Sequence, residues 1–186
     1  MVRTYAKRTV NIPHSQVWKL LSDLESPSKF NPMITRAETT STHSKGLGAT
    51  RTLHYMDGST DTEEVVQIGQ GYITFKPKTC HHGKPGIHYT VTYTVKRLLP
   101  AWTEIVLEAN YNVKFGWLGL LRYIFQVSST ERRLHLQFEQ VLEGIDYHLT
   151  TNKRVRKCAG TNKIATSLSN HIKVAQRQCS QAVGTI

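Results

Sequence analysis

Between Thr130 and Leu149 the apolar residues Leu134, Phe138, Val141, Leu142, Ile145 and Leu149 recur at steps of four, three, one, three and four. That spacing lays them along one stripe of a 3.6-residue helix, with Glu131, Arg132, Glu139, Glu143 and Asp146 mostly elsewhere. Ser128 and Glu131 have the Ser-x-x-Glu spacing of a capping box, so the helix is expected to start there. A strand would need a period of two. A long amphipathic helix of this kind needs an apolar surface to lie on.

The pattern upstream is mostly that of strands. Tyr5–Ile12 reads as a first strand, with alternation around Tyr5, Val10 and Ile12. Pro13 ends it and suits the first turn of a helix over His14–Ser26, which carries Val17, Leu20, Leu21 and Leu24 on one face beside Trp18. Residues 26–32, with Pro27 and Pro32, predict a short second helix or turn. Strands are then expected over Ile34–Thr42, Ala49–Met56, Thr62–Ile68, Tyr72–Lys78, His88–Leu98 and Thr103–Val113, separated by turn residues such as Asp57-Gly58 and Gly69-Gln70-Gly71. His88–Leu98 alternates cleanly, with Tyr89, Val91, Tyr93 and Val95 on one face. Short turns between successive strands predict an antiparallel meander, one face buried and one solvated. The apolar segment Gly116–Phe125 is read as the first turns of the C-terminal helix packed on the sheet, rather than as a membrane-surface helix. The expected fold is α+β: a curled antiparallel sheet of about seven strands around a long C-terminal helix, with two short helices after the first strand.

Length and charge refine this picture. At 186 residues the chain fits one domain, with no apolar run approaching the ~20 residues of a membrane span. The first residues lack the apolar core of a signal peptide, and three widely spaced cysteines (Cys80, Cys158, Cys179) suggest free thiols in a reducing compartment, so a cytoplasmic location is expected. The net charge of +11 is unevenly placed. Residues 151–186 hold seven bases and no acid, whereas residues 1–150 hold 17 bases against 13 acids, a balance of +4. The chain is therefore divided into a folded domain at 1–151 and a basic, loosely ordered tail at 152–186. The tail run from Lys153 to Lys157 is a place where anionic lipid or nucleic acid could make weak contact, although a solvated helix end is the commoner use of such a run.

Three stretches carry a family resemblance. Val10–Asp23, reading VNIPHSQVWKLLSD and continuing through Phe30-Asn31-Pro32, resembles the opening strand and Val-Trp helix of the SRPBCC or START-like superfamily, the helix-grip proteins. Gly46-Leu-Gly-Ala-Thr-Arg51, followed by Asp57-Gly58 and Glu63, is similar to that superfamily's G-x-G-x-x-R region. Phe138-Glu-Gln-Val-Leu-Glu-Gly-Ile145 is similar to its terminal helix. The resemblance covers roughly residues 3–150. It implies a hydrophobic cavity between sheet and long helix, holding a small apolar or amphipathic molecule such as a lipid, polyketide or isoprenoid. It also implies, as an alternative, an enzyme of the polyketide cyclase/dehydrase type, although no catalytic motif is recognisable in the chain. A peripheral membrane or nucleic-acid module using Trp117, Phe125 and the tail is a third reading. Fold alone does not choose among them.

Matched strand by strand to that superfamily, Arg51, Leu53, Tyr55, Glu63 and Val65 are expected to face inward, with Phe75, Tyr89, Val91 and Tyr93 joining them. For Tyr89, Val91 and Tyr93, alternation agrees independently. Alternation also turns Ile105, Leu107, Ala109 and Tyr111 inward and Glu108 outward, against a local Val-Leu-Glu resemblance that would turn Glu108 in; burial of the apolar row is worth about 1.5–3 kcal/mol per large side chain. Phe138, Val141 and Ile145 would supply the helix wall. Tyrosines suit either a pocket or a filled core whose hydroxyls reach its edge. Arg51 and Glu63 are expected either to pair across adjacent strands or to meet a polar group of the ligand, since a lone inward charge is costly. Cys80, His81, His82 and His88 fit no zinc spacing, so no metal and no cofactor are expected.

Overall fold

The computed structural model describes residues 2–80, 87–113 and 120–155. The chain runs β1 (Val2–Val10), α1 (His14–Leu21), α2 (Pro27–Phe30), β2 (Ile34–Thr39), β3 (Thr50–Tyr55), β4 (Thr60–Gly69), β5 (Tyr72–Cys80), β6 (Ile87–Leu99), β7 (Trp102–Val113) and α3 (Leu120–Thr151). All seven strands form one sheet in the order β1-β7-β6-β5-β4-β3-β2. Every neighbouring pair is antiparallel. The meander expected from the turns is therefore present, and the first strand comes back to pair with the last. Register shifts interrupt β4 at Thr62/Glu63 and Val65/Gln67 and β6 at Arg97/Leu99, places where bulges add curl.

The core lies between the concave face and α3. From the sheet come Ala6, Val10, Val65, Ile73, Phe75, Val95, Ile105 and Leu107; from α3 come Phe138, Val141, Leu142 and Ile145; from α1 come Val17, Leu20 and Leu21. In β7, Ile105, Leu107 and Ala109 are buried, and Glu108 turns outward to Arg3 and Asn110. Alternation thus decides that strand, as expected. The stripe on the helix is buried from Phe138 to Ile145, while Leu134 and Leu149 are half-buried at its ends.

Two local expectations are corrected. Ser128 and Glu131 do not cap the helix: α3 begins at Leu120, so both sit in its interior and the capping-box spacing is coincidental. Leu120–Phe125 accordingly belong to its first turns, while residues 114–119 lie outside the described residues. Tyr5 does not share a face with Val10. Thr4, Ala6 and Val10 point inward, and Tyr5 stands on the opposite, exposed face. A period of two cannot put an odd and an even residue together without a bulge.

The C-terminal end of α3 is seated by an unusual close approach. Gly144 faces the carbonyl of Phe30, and a Cβ built there would lie 1.9 Å from that oxygen. Beyond the helix Asn152 adopts φ +54 and its N–H bonds to His148 O, an αL stop. The chain then folds back: Val155 N–H donates to Lys29 O at 2.9 Å, and the Arg154 guanidinium donates to the carbonyls of Ile34 and Thr35. The compact unit runs through Val155. Residues 156–186, most of the expected tail, lie outside the described residues. Among the described residues no helix is long and apolar enough to cross a membrane.

Candidate functional site

Arg51 and Glu63 stand directly opposite each other on β3 and β4. Pleating turns both to the concave face, where they are 4% and 7% exposed. The side chains meet side-on, with Nε and Nη2 of Arg51 donating to the same Glu63 oxygen, Oε2, at 2.9 and 2.7 Å. Phe75, on β5, lies flat under the guanidinium, 3.6 Å from Cζ to ring centroid. Such a contact is worth about 2 kcal/mol when desolvated. The Tyr93 ring meets Phe75 edge to face, with centroids 6.1 Å apart. Its hydroxyl accepts a hydrogen bond from Arg51. Four strands thus bring four of the anticipated residues into one cluster.

The electrostatics of the cluster follow from its burial. Desolvation pushes the Tyr93 phenol up to about 12; the Arg51 charge opposes that rise and the Glu63 charge adds to it. Burial also raises Tyr55 well above the usual phenol range, reinforced by the Glu63 and Asp61 charges and by a hydrogen bond from its hydroxyl to Asp61. Asp61 is itself 3% exposed. Both phenols are therefore neutral at physiological pH and can donate a proton in hydrogen bonds. Since Glu63 offsets the charge on Arg51, the cluster presents little net charge to whatever faces it.

The other anticipated residues divide. Val65, Phe138, Val141 and Ile145 are buried in the main core. Val91 is half-buried and packs against that core. Tyr89 is half-buried on the same strand face. Leu53 and Tyr55 pack instead with Ile34 and Ala37 in a separate small cluster on β2 and β3. Tyr111 pairs with Val2 and Tyr89 in the sheet; its side chain lies outside what the structure describes, as do those of Cys80 and His88, and His81 and His82 lie outside the described residues. Among the described residues no cluster of His, Cys, Asp and Glu could hold a metal ion.

Sequence reasoning missed Asp61 and an open groove of about 510 Å³ between β1 and α3. Arg3, Thr4, Tyr5, Lys7, Arg132 and His135 are among its lining residues. His135 Nδ1 lies 3.1 Å from the carbonyl of Tyr5. None of the anticipated cavity residues lines this groove. Asp61 could have been found, since it lies two residues before Glu63 and so shares its strand face. The groove could not, because it joins residues 130 positions apart.

Solved structures with the same architecture include the protein XoxI from Bacillus cereus (17% identity over 82% of this chain and 98% of that one, TM-score 0.65). A START superfamily protein from Mycobacterium smegmatis aligns over 81% of this chain and 99% of its own at 12% identity, with TM-score 0.64. The Zhui aromatase/cyclase from Streptomyces sp. R1128 aligns over 83% and 99% at 18% identity, with TM-score 0.59. At such identities the likeness is one of fold. No curated protein sequence matches the chain. The family profile described as polyketide cyclase/dehydrase and lipid transport does match, over residues 1–143. That span takes in every strand, both short helices and the buried stripe of α3 up to Leu142, and with it the chain belongs to the polyketide cyclase/dehydrase and lipid transport family.

Proposed function

We propose that the protein binds or carries a small hydrophobic or amphipathic molecule between the concave face of the sheet and α3, with the ligand's polar group at the Arg51–Glu63–Tyr93 cluster. The observation that supports this reading is a buried ion pair, with buried Asp61 on the same strand face, set among apolar core residues. Removing two charges from water costs several kcal/mol per ion, and a well-packed apolar pair would hold the sheet at least as firmly. A ligand that needs a polar anchor gives the pair a use. Because Arg51 is offset by Glu63, the anchor suits a neutral acceptor such as a carbonyl or hydroxyl better than a carboxylate. Tyr93, accepting from Arg51, keeps its own proton to donate to that group.

The test replaces both charges at once, Arg51→Met with Glu63→Leu, so that no orphan ion is left. Native mass spectrometry of the wild-type protein is expected to show a bound small molecule in stoichiometric amount, and displacement of anilinonaphthalene sulfonate gives a binding readout. Retained folding with lost ligand supports the reading. Unchanged ligand binding in the double variant removes the cluster from the site, and a protein that never carries or takes up an apolar molecule sinks the carrier reading itself.

The contact between Tyr93 and Arg51 also favours a second reading, an enzyme of the cyclase/dehydrase type. A phenol held by a guanidinium can polarise a carbonyl, and Glu63 is placed to receive a proton. In that case Glu63→Gln abolishes turnover of a polyketide substrate while the wild-type protein shows multiple turnovers; a carrier shows none.

A further inference from the structure

In this antiparallel meander the β2–β3 loop, the β4–β5 turn and the β6–β7 turn all emerge at the same end of the sheet. The large apolar side chains exposed at that end are Leu47, Ile68, Tyr72, Leu98, Leu99 and Trp102. Leu98, Leu99 and Trp102 form the tip of the β6–β7 hairpin, 50%, 59% and 40% exposed. The tip projects. Gly71 O accepts from Val95 N–H at 2.6 Å, so the β4–β5 turn ends level with Val95 while β6 runs on to Leu99, roughly 13 Å further at 3.3 Å per residue. Tyr72 pairs with Thr94, and its ring lies over Gly69 in the β4–β5 turn.

The three connections themselves carry charge of one sign, while Glu25 accepts from Thr39 N–H at the end of β2. Segments 40–49, 67–73 and 96–103 contain Lys45, Lys96 and Arg97 and no acidic residue. Glu104, at the base of the hairpin, lies 4.0 Å from Lys96 and 3.8 Å from Lys7. A flat protein interface would be served by a level patch. A projecting tip of two leucines and a tryptophan, followed by a tyrosine and ringed by cations, matches the layering of a bilayer surface: apolar below, aromatic at the headgroups, cations at the phosphates.

We propose that this end of the sheet docks on an anionic lipid bilayer, with Leu98, Leu99 and Trp102 inserting and Lys45, Lys96 and Arg97 resting on the headgroups. This surface is independent of the concave-face cluster, so it stands or falls apart from the ligand reading.

The experiment is vesicle flotation of the full chain on phosphatidylcholine with and without one-third phosphatidylserine. Wild-type protein partitions onto the anionic vesicles. The pair Leu98→Ser and Leu99→Ser weakens that partition by roughly tenfold or more, through lost apolar burial. The pair Lys96→Glu and Arg97→Glu weakens it by a similar factor or more, on anionic vesicles only. In a protein carrying Trp18→Phe and Trp117→Phe, brominated lipid quenches the remaining Trp102. Lys96, Arg97, Leu98, Leu99 and Trp102 are exposed turn or strand-end residues, and unchanged circular dichroism confirms the fold in each variant. Absence of flotation overturns the proposal. So does flotation that the leucine and cation substitutions leave intact, which assigns membrane contact to the basic C-terminal residues. Concentration-dependent self-association abolished by the leucine substitutions also overturns it, since the tip then belongs to an interface between copies.

Discussion

Arg51→Met isolates the ion pair most sharply. The substitution keeps the apolar stem but leaves Glu63, 7% exposed, without its cation. At an effective dielectric of about 20, charge centres about 4 Å apart attract by about 4 kcal/mol. The guanidinium also covers the Phe75 ring at 3.6 Å, a contact worth about 2 kcal/mol in a desolvated setting. Methionine recovers part of the second contribution and none of the first. Removal of one partner of a buried pair typically costs about 3–5 kcal/mol, and about 4 kcal/mol plus the unrecovered part of the ring contact lies at the upper end of that range. At about 2–4 °C per kcal/mol for a chain of this size, the melting temperature falls by roughly 10 °C. Urea unfolding monitored by circular dichroism measures the loss directly. The double variant with Glu63→Leu is expected to return to within about 1–2 kcal/mol of wild type, since the desolvation cost disappears along with the attraction. If Arg51→Met is destabilised by less than about 1 kcal/mol, or if the double variant is no more stable than the single one, the pair is not buried and coupled as described.

Other outcomes follow from the same packing. Gly144→Ala gains about 1 kcal/mol of helix propensity, but its methyl must push α3 away from the Phe30 carbonyl; a net loss of about 2–4 kcal/mol in denaturant unfolding is expected. A variant as stable as wild type would contradict the close approach. Thr4 is 7% exposed and its hydroxyl has no hydrogen-bond partner among the described residues, so Thr4→Val is expected to raise stability by about 1 kcal/mol, read as a higher melting temperature. The Tyr93 phenol rises in the folded protein from 10.0 to about 12, so the neutral form is the one folding favours. Its contribution is complete below pH 10 and is lost as pH climbs toward 12, a total of about 2–3 kcal/mol, with Tyr55 acting in the same direction. Tyr93→Phe should show a shallower alkaline loss of stability, and absorbance titration should find two phenols that ionise late; simultaneous ionisation of all tyrosines at the ordinary pH would refute the burial.

Alternation by itself turned Tyr93 to the concave face, whereas Arg51, Glu63, Val65 and Phe75 were expected there from the family resemblance; all five are buried. Leu53 and Tyr55 shared that expectation and still parted from the group. Periodicity says which side of a strand a residue occupies, and it says nothing about how far the sheet has curled by the time it reaches β3. The segment up to Phe125 was expected as the first turns of α3, and Leu120–Phe125 are; only the cap was misplaced. Ser128 and Glu131 offer a sound cap, yet a cap is used only where the chain stops being helical, and the apolar residues from Leu120 onward carry the helix through it.

What the sequence by itself determined is therefore local and periodic. The strands, the turns between them, the buried stripe from Phe138 to Ile145 and the outward Glu108 all follow from side-chain polarity repeating at 2.0 or 3.6 residues. The tertiary structure alone decided which groups from distant strands meet. Glu63 found Arg51 through register, and Phe75 and Tyr93 reached them through two further strand pairings. The hydrophobic hairpin tip gathered beside other apolar turns only because the meander delivers alternate connections to the same end. Such meetings depend on strand order and curl, which sum over the whole sheet, and no window of sequence contains that sum.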